Sequence, residues 1–299
     1  MRILLLGANG QVGHALARSL RSVGEIVAAT RDGVLDGEEC EAADFDAPDT
    51  LTALVGRVAP DVVVNAAAYT AVDRAEREPE AAFRINAEAP RKLAEACAAG
   101  DAVLVHYSTD YVFDGQGTRP YREDDPVAPL GVYGASKLAG ERAIEASGCR
   151  RFVMRTAWVY GNHGANFMRT MLRLGAEHEE LRVVADQIGT PTPAALIADV
   201  TARILASSSQ DYGTFHLTAG GRASWHAFAV EIFERAHRCG LLAKVPHVSP
   251  ITTADYPTPA RRPAYSCLDT TALQQTFGIA LPDWQSALDQ VIATASKHA

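Results

Sequence analysis

Ile3-Leu4-Leu5-Leu6-Gly7-Ala8-Asn9-Gly10-Gln11-Val12-Gly13, at the start of a 299-residue chain, decides the fold. Four consecutive apolar residues ending at a glycine read as a short strand buried on both faces. From residue 11 to 20, Val12, Ala15, Leu16 and Leu20 then recur at helical spacing. Three glycines join the two elements. Gly7 permits a tight exit from the strand, Gly10 lets a pyrophosphate approach the backbone, and Gly13 lets the helix pack closely. The free amides of the helix N-terminus then face the phosphates. The spacing is Gly-x-x-Gly-x-x-Gly rather than the commoner Gly-x-Gly-x-x-Gly, and by itself it also fits a purely structural turn. Its place between first strand and first helix predicts a bound dinucleotide.

Working outward, residues 26–29, 62–65, 102–105 and 152–154 are further apolar runs. Helical stretches at 51–58, 87–98 and 133–146 precede the last three. This alternation predicts an α/β fold, a doubly wound parallel sheet of Rossmann type. Ligands of such sheets sit at the carboxyl ends of the strands, where Gly7, Asn65, Ser108 and Thr109 fall. After residue 157 the rhythm breaks into loops rich in Gly, Pro and Asn (160–166, 186–193, 250–263). The expected organisation is a nucleotide-binding domain over residues 1–157, with late sheet elements returning around 190–218. A smaller C-terminal substrate lobe is expected mainly from 158–189 and 219–299.

Composition narrows the function classes. With 47% hydrophobic and 21% charged residues the chain reads as an ordinary globule, not a disordered one. The formal charge is −8 and no basic run occurs, which argues against nucleic acid as a partner. The five cysteines, Cys40, Cys97, Cys149, Cys239 and Cys267, are odd in number, scattered, and lack Cys-x-x-Cys spacing. They read as reduced thiols of a cytoplasmic protein. No stretch has the length of a membrane span or the pattern of a signal peptide. His106 reads as a packed or hydrogen-bonded strand residue, no histidine is assigned to a metal, and Trp225 is expected in the core or an interface.

The chemistry is carried by Tyr133-Gly-Ala-Ser-Lys137 with Ser108-Thr109-Asp110-Tyr111 upstream. A tyrosine and lysine four apart on a helix lie one turn from each other. Taken alone, that is an ordinary surface pair. Beside a substrate, an ammonium about 4 Å from a phenol supplies roughly 4 kcal/mol at an effective dielectric near 20, about three pKa units. The expectation is a phenol brought towards neutrality and able to exchange a proton, with the Thr109 hydroxyl on the same substrate oxygen. At the end of the second strand, Arg31 suits a 2′-phosphate and favours NADPH, with NADH also possible; a solvated loop arginine is the alternative reading. Asp44 and Phe45 are placed beside the adenine.

Together these features resemble the extended short-chain dehydrogenase/reductase family, whose members mostly act on nucleotide sugars. The resemblance runs along almost the whole chain and is specific in several stretches. These are Val64-Asn-Ala-Ala-Ala-Tyr-Thr-Ala-Val-Asp73, His106-Tyr-Ser-Thr-Asp-Tyr-Val-Phe113, Val132-Tyr-Gly-Ala-Ser-Lys-Leu-Ala-Gly-Glu141, Arg155-Thr-Ala-Trp-Val-Tyr160, Asn166-Phe167 and Tyr256-Pro-Thr-Pro-Ala-Arg-Arg-Pro263. It implies hydride transfer from NADPH to a 4-keto sugar nucleotide, for cell-surface polysaccharide synthesis. Tyr133 is implied as proton donor, Lys137 as holder of the nicotinamide ribose, and Thr109 as partner of the reacting oxygen. Gly10, Gln11, Val12, Ala68, Tyr69, Thr70 and Tyr107 are implied around the cofactor, Asp110 and Trp158 around the sugar. Asn166 and Phe167 are placed by the sugar or base, with a buried turn as the alternative. Arg261 or Arg262 would clamp the diphosphate or else cap a surface loop.

Related 4,6-dehydratases carry Asp-Glu where this chain has Asp110-Tyr111. A phenol cannot serve as that carboxylate base near pH 7, so dehydration is not expected. Some family members dimerise through magnesium held by glutamates. Here residues 13–17 and 193–197 offer no carboxylate, so a monomer or a homodimer without bridging magnesium is expected. A reductase or epimerase of another nucleotide sugar is one alternative. A non-catalytic subunit of the methionine adenosyltransferase type is another, and the intact Thr109, Tyr133, Lys137 and glycine loop speak against it.

Overall fold

The computed structural model describes residues 1–296. Its centre is a parallel sheet of seven strands: β1 (Arg2–Leu6), β2 (Glu25–Thr30), β3 (Glu41–Ala42), β4 (Val62–Asn65), β5 (Val103–Thr109), β6 (Arg151–Thr156) and β7 (Gly213–His216). They lie in the order β7-β6-β5-β4-β1-β2-β3. The order reverses between β1 and β4, which opens a crevice beyond their carboxyl ends. Gly7 and Asn65 both sit at that crevice.

The apolar run of β1 is explained by the period of two. Ile3 and Leu5 point to one face and pack with Leu16, Leu20 and Ile197, while Leu4 and Leu6 point to the other and pack with Leu51, Leu54 and Leu93. The helices that cover these faces are α1 (Gln11–Ser19), α2 (Asp49–Val58), α3 (Ala89–Ala99) and α4 (Val132–Ala146). Beyond them come α5 (Phe167–Glu177), α6 (Ala194–Ala206), α7 (Trp225–Arg238) and α8 (Trp284–Ala295). α1 and α6 cover the first face; α2, α3 and the end of α4 cover the second.

Two elements differ from the pattern read in the sequence. β5 runs on to Thr109 instead of ending at residue 105, because Tyr107, Ser108 and Thr109 stay in register with Met154, Arg155 and Thr156 of β6. Its polar residues hide the strand from a hydropathy reading, yet they are buried. The helix expected from residue 87 is preceded by, and begins within, a π-turn at Arg84–Glu88, with α3 following from Ala89. The wide turn directs Asn86 inward, where Oδ1 accepts from the Tyr69 amide and Nδ2 donates to the Tyr69 carbonyl and Ser136 Oγ.

The second half of the chain has its own apolar cluster of Tyr160, Met168, Phe228, Phe233, Trp284 and Leu288. α6 and β7 return to the sheet, and Leu273 and Ile279 also pack in the sheet's cluster. Residues 297–299, the end of the range expected for the lobe, lie outside the described residues. Among the described residues no helix is long and apolar enough to cross a membrane, and the five cysteines are free thiols.

Candidate active site

A cavity of about 920 Å³ occupies the crevice between the carboxyl ends of the strands and the second lobe. The glycine loop forms one end. Gly7 takes a positive φ of 74°, and a β-carbon at Gly13 would lie 2.0 Å from the Gly7 carbonyl oxygen, so helix and loop meet at backbone distance. α1 starts with an extended Gly10, no side-chain cap and no acidic residue in its first turn. Its leading amides are therefore available to an anion. Gln11 donates through Nε2 to the Val159 carbonyl at 3.0 Å, while its buried Oε1 has no partner. Val12, Ala68 and Thr70 line the same end of the cavity. A pyrophosphate with its ribose fits this cradle of free amides and an orphaned acceptor.

At the rim, Arg31 lies 3.7 Å from Asp46 with its side chain 67% exposed, and Asp32 lines the cavity beside it. Asp32 was not singled out in the sequence. Its carboxylate is held in the turn after β2 by Thr30 Oγ1 at 3.0 Å, which draws its pKa down. Phe45 is buried and faces the cavity, whereas Asp44 bonds the Asp46 amide and does not line it. Tyr69 also turns away. Its hydroxyl donates to Glu78 and its ring packs on the second face of the sheet. Tyr107 lines the cavity, but its hydroxyl shares a hydrogen bond with Thr201 on the far side of β5.

β5 and α4 make the floor. The Glu76 carboxylate accepts from the Val132 amide at 2.8 Å, capping α4 just before Tyr133. Tyr133 and Lys137 both line the cavity, as do Ser108, Thr109 and Asp110. Thr109 Oγ1 donates to Asp110 Oδ1 at 3.0 Å and accepts from the Tyr111 amide. Ser108 Oγ and Asp110 Oδ2 are buried without protein partners. Burial raises Asp110 to about 6. Tyr111 packs edge-on against Tyr133, ring centroids 5.6 Å apart, and burial raises its phenol too.

The expected depression of Tyr133 by Lys137 is not found. Burial pushes Tyr133 up to about 12, with the Thr109 hydroxyl pulling the other way. The lysine instead donates to the Tyr107 carbonyl at 2.6 Å and meets His106 Nε2 at 3.2 Å. Burial lowers Lys137 to about 8. Helical spacing fixed the two residues on one face but not where a flexible ammonium would find its acceptors.

An aromatic shelf faces the floor. Trp158 has a left-handed backbone at φ 47° and stacks on Trp225, centroids 3.5 Å apart and planes within 4°. Both line the cavity. Trp225, expected in the core or an interface, packs at the edge of the second apolar cluster and also faces the cavity: Ser224 caps α7 and presents it at the first helical position, half-buried at the cavity wall. Phe167 does not reach the cavity; it supports Trp225 from behind at 4.7 Å. Asn166 does not line it either and is the N-cap of α5, accepting from the Arg169 amide. Arg262 is committed to Asp73 through two bonds, at 3.1 and 2.8 Å. Arg261 is exposed at an annexe of the cavity shared with Tyr111 and Tyr133.

The family described as RmlD substrate binding domain matches residues 1–297. A protein of Burkholderia thailandensis named dTDP-4-dehydrorhamnose reductase is 48% identical, the match covering 96% of this chain and 97% of the relative. One of the same name from Shigella flexneri is 45% identical over 98% of this chain and 97% of the relative. Among solved structures, dTDP-4-dehydrorhamnose reductase of Bacillus anthracis in complex with NADP superposes with a TM-score of 0.89 at 35% identity, covering 98% of this chain and 99% of that one.

Proposed function

The chain belongs to the RmlD substrate binding domain family, and we infer that it reduces the 4-keto group of dTDP-4-dehydro-L-rhamnose with NADPH, giving dTDP-L-rhamnose for polysaccharide synthesis. The observation that carries this reading is the convergence of Thr109, Tyr133 and Lys137 with the glycine loop on one cavity. The leading amides of α1 hold the cofactor's phosphates, the free Gln11 Oε1 accepts from a ribose hydroxyl, and Arg31 at the rim meets the 2′-phosphate. Bound NADPH supplies the hydride.

The residues of the floor manage the proton. Reduction consumes one proton at the sugar oxygen, and Tyr133, raised by burial, keeps its proton until that oxygen becomes basic. Thr109, turning its hydroxyl from Asp110 to the same oxygen, donates a hydrogen bond there, which helps most as charge develops. Lys137, one turn along α4, holds the nicotinamide ribose and stabilises the phenolate as it forms. Asp110 and the Trp158–Trp225 shelf hold the sugar, and Arg261 takes the diphosphate while Arg262 braces it through Asp73. Tyr111 carries no carboxylate for abstracting a proton from the sugar ring, so the keto group is reduced without loss of water.

We place the enzyme in the cytoplasm, in keeping with its free thiols, as a monomer or homodimer without bridging magnesium. α1 carries no carboxylate, and sedimentation is expected to be unchanged by EDTA. The decisive test is NADPH oxidation with enzymatically generated dTDP-4-dehydrorhamnose and NMR identification of the product. No oxidation above background overturns the reading.

A further inference from the structure

A chain of hydrogen bonds runs beneath the cavity and ends on Lys137. The Ala67 amide donates to Asn65 Oδ1 at 3.1 Å. Asn65 Nδ2 lies 3.0 Å from His106 Nδ1, and His106 Nε2 lies 3.2 Å from Lys137 Nζ. Its direction is fixed at one end, because a backbone N–H can only donate. Asn65 must therefore present its carbonyl oxygen to Ala67 and its NH₂ to the histidine. His106 Nδ1 then accepts, and a neutral ring carries its proton on Nε2. That N–H points at Lys137. An amine accepts it; an ammonium, with no lone pair, meets a donor instead.

We propose that Asn65 and His106 are positioning residues that act through Lys137, presenting it with a donor and so weakening its hold on its proton. Asn65, His106 and Lys137 are all essentially buried, at 1%, 1% and 2% exposure, so water does not relieve the mismatch. The Tyr107 carbonyl still accepts from the lysine in either protonation state, which holds Nζ in place while its charge changes. A lysine whose hold on its proton is weakened resupplies the Tyr133 phenolate more readily after each reduction than an ordinary ammonium does.

Among the groups around Lys137, the His106 contact is the one that adds to burial in favouring the amine. Tyr133 and Glu141 share its helix, and Arg155 of β6 holds Glu141 in a buried pair at 2.7 Å. Asp110 and Tyr111 follow β5, the phenol of Tyr107 turns to Thr201, and Glu76 caps the start of the helix. The π-turn packed on α4 contributes the neutral Asn86. Glu141 favours the ammonium, and burial, the larger effect, opposes it. Burial and the lysine together hold His106 well below its ordinary value, so the ring stays neutral.

The proposal rests on the reductase reading, and its test has one arm that does not. Imidazole nitrogen NMR is expected to show His106 as the Nε2–H tautomer, with or without turnover; an Nδ1–H tautomer overturns the proposal and leaves the reductase reading standing. The second arm reverses the chain. In Asn65→Asp a carboxylate accepts from both Ala67 and His106, which moves the ring proton to Nδ1 and offers Lys137 a lone pair. The alkaline limb of the kcat profile is expected to rise by about one pH unit or more, a tenfold change in proton affinity. His106→Gln, which sets an amide oxygen near the Nε2 position, is expected to move it the same way if the aspartate variant fails to fold. An unmoved limb in the folded variants refutes the proposal.

Discussion

The two walls of the cavity are made differently. The floor consists of side chains on β5 and α4, nearly all out of water: Thr109 is 5% exposed, Asp110 and Lys137 2% each. These three are tied by hydrogen bonds, Thr109 to Asp110 and to the Tyr111 amide, Lys137 to the Tyr107 carbonyl. The facing wall comes from the second lobe and consists of stacked rings and an exposed guanidinium, Trp158, Trp225 and Arg261. The proposed chemistry thus falls on side chains of the sheet and α4, and the proposed sugar contacts fall on the stacked rings facing them. If that division is right, substitutions on the floor change kcat and pH dependence, and substitutions on the shelf change KM.

The largest effect tests the floor directly. Tyr133→Phe is expected to lower kcat by roughly 10²–10⁴-fold while leaving NADPH affinity, read by fluorescence titration, close to unchanged. A variant with near-normal turnover removes Tyr133 from the proton path and breaks the comparison at its strongest point.

Asp110 offers the next largest effect, on stability. Its carboxyl is raised by burial to about 6, above its value in the unfolded chain. Between about pH 4 and pH 6 the native state therefore binds more of a proton than the unfolded state does. The sign follows: this group's contribution turns against folding as pH rises through that window, by about 3 kcal/mol at most. Asp110→Asn is expected to flatten that part of the profile in urea titrations at about pH 4 and pH 7. An unchanged slope means that Asp110 is solvated rather than buried in solution.

On the shelf, Trp225→Ala removes one face of the stacked pair and is expected to raise KM for the sugar nucleotide about tenfold, with kcat changed far less. Phe167→Ala, which touches Trp225 but not the cavity, is expected to do the same more weakly. A fall in kcat equal to the rise in KM would show that the lobe helps to set the reacting geometry, and the division between walls would blur.

The same contrast governs what could be read from the chain. The glycine loop, the alternating strands and the Tyr133–Lys137 pair are local patterns, set by periods of two and 3.6 residues, and each lies where its spacing put it. Asp44 was placed by position along the chain, and Tyr69, Asn166 and Phe167 through the resemblance; each side chain turns elsewhere, into a turn, to Glu78, onto a helix cap and behind Trp225. Trp225 itself is 67 residues from Trp158, so no local pattern brings them together; nothing short of the tertiary fold makes the shelf. His106 was read as a packed or hydrogen-bonded strand residue and is both, but its partners come from β4 and α4, and spacing along the chain did not name them. Contacts made across the sheet or between lobes depend on side-chain direction, which sequence spacing does not encode.

The smallest effect lies at the rim, and it sharpens the comparison through salt. Arg31 is largely exposed and its contact with Asp46 is long, so its attraction for a 2′-phosphate is screened. Arg31→Ala is expected to reduce the preference for NADPH over NADH by roughly fivefold at low ionic strength. The difference should fade as salt is raised to about 0.5 M, where the Debye length is shorter than 5 Å. Substitutions on the floor should show no such salt dependence, because their partners are buried. If the coenzyme preference survives both the substitution and the salt, the 2′-phosphate is read elsewhere, and Asp32, at the same strand end and lining the same cavity, cannot be what reads it, because its carboxylate would repel the phosphate. The rim would then owe its selectivity to amides of the glycine loop, and Arg31 would be no more than a solvated partner of Asp46.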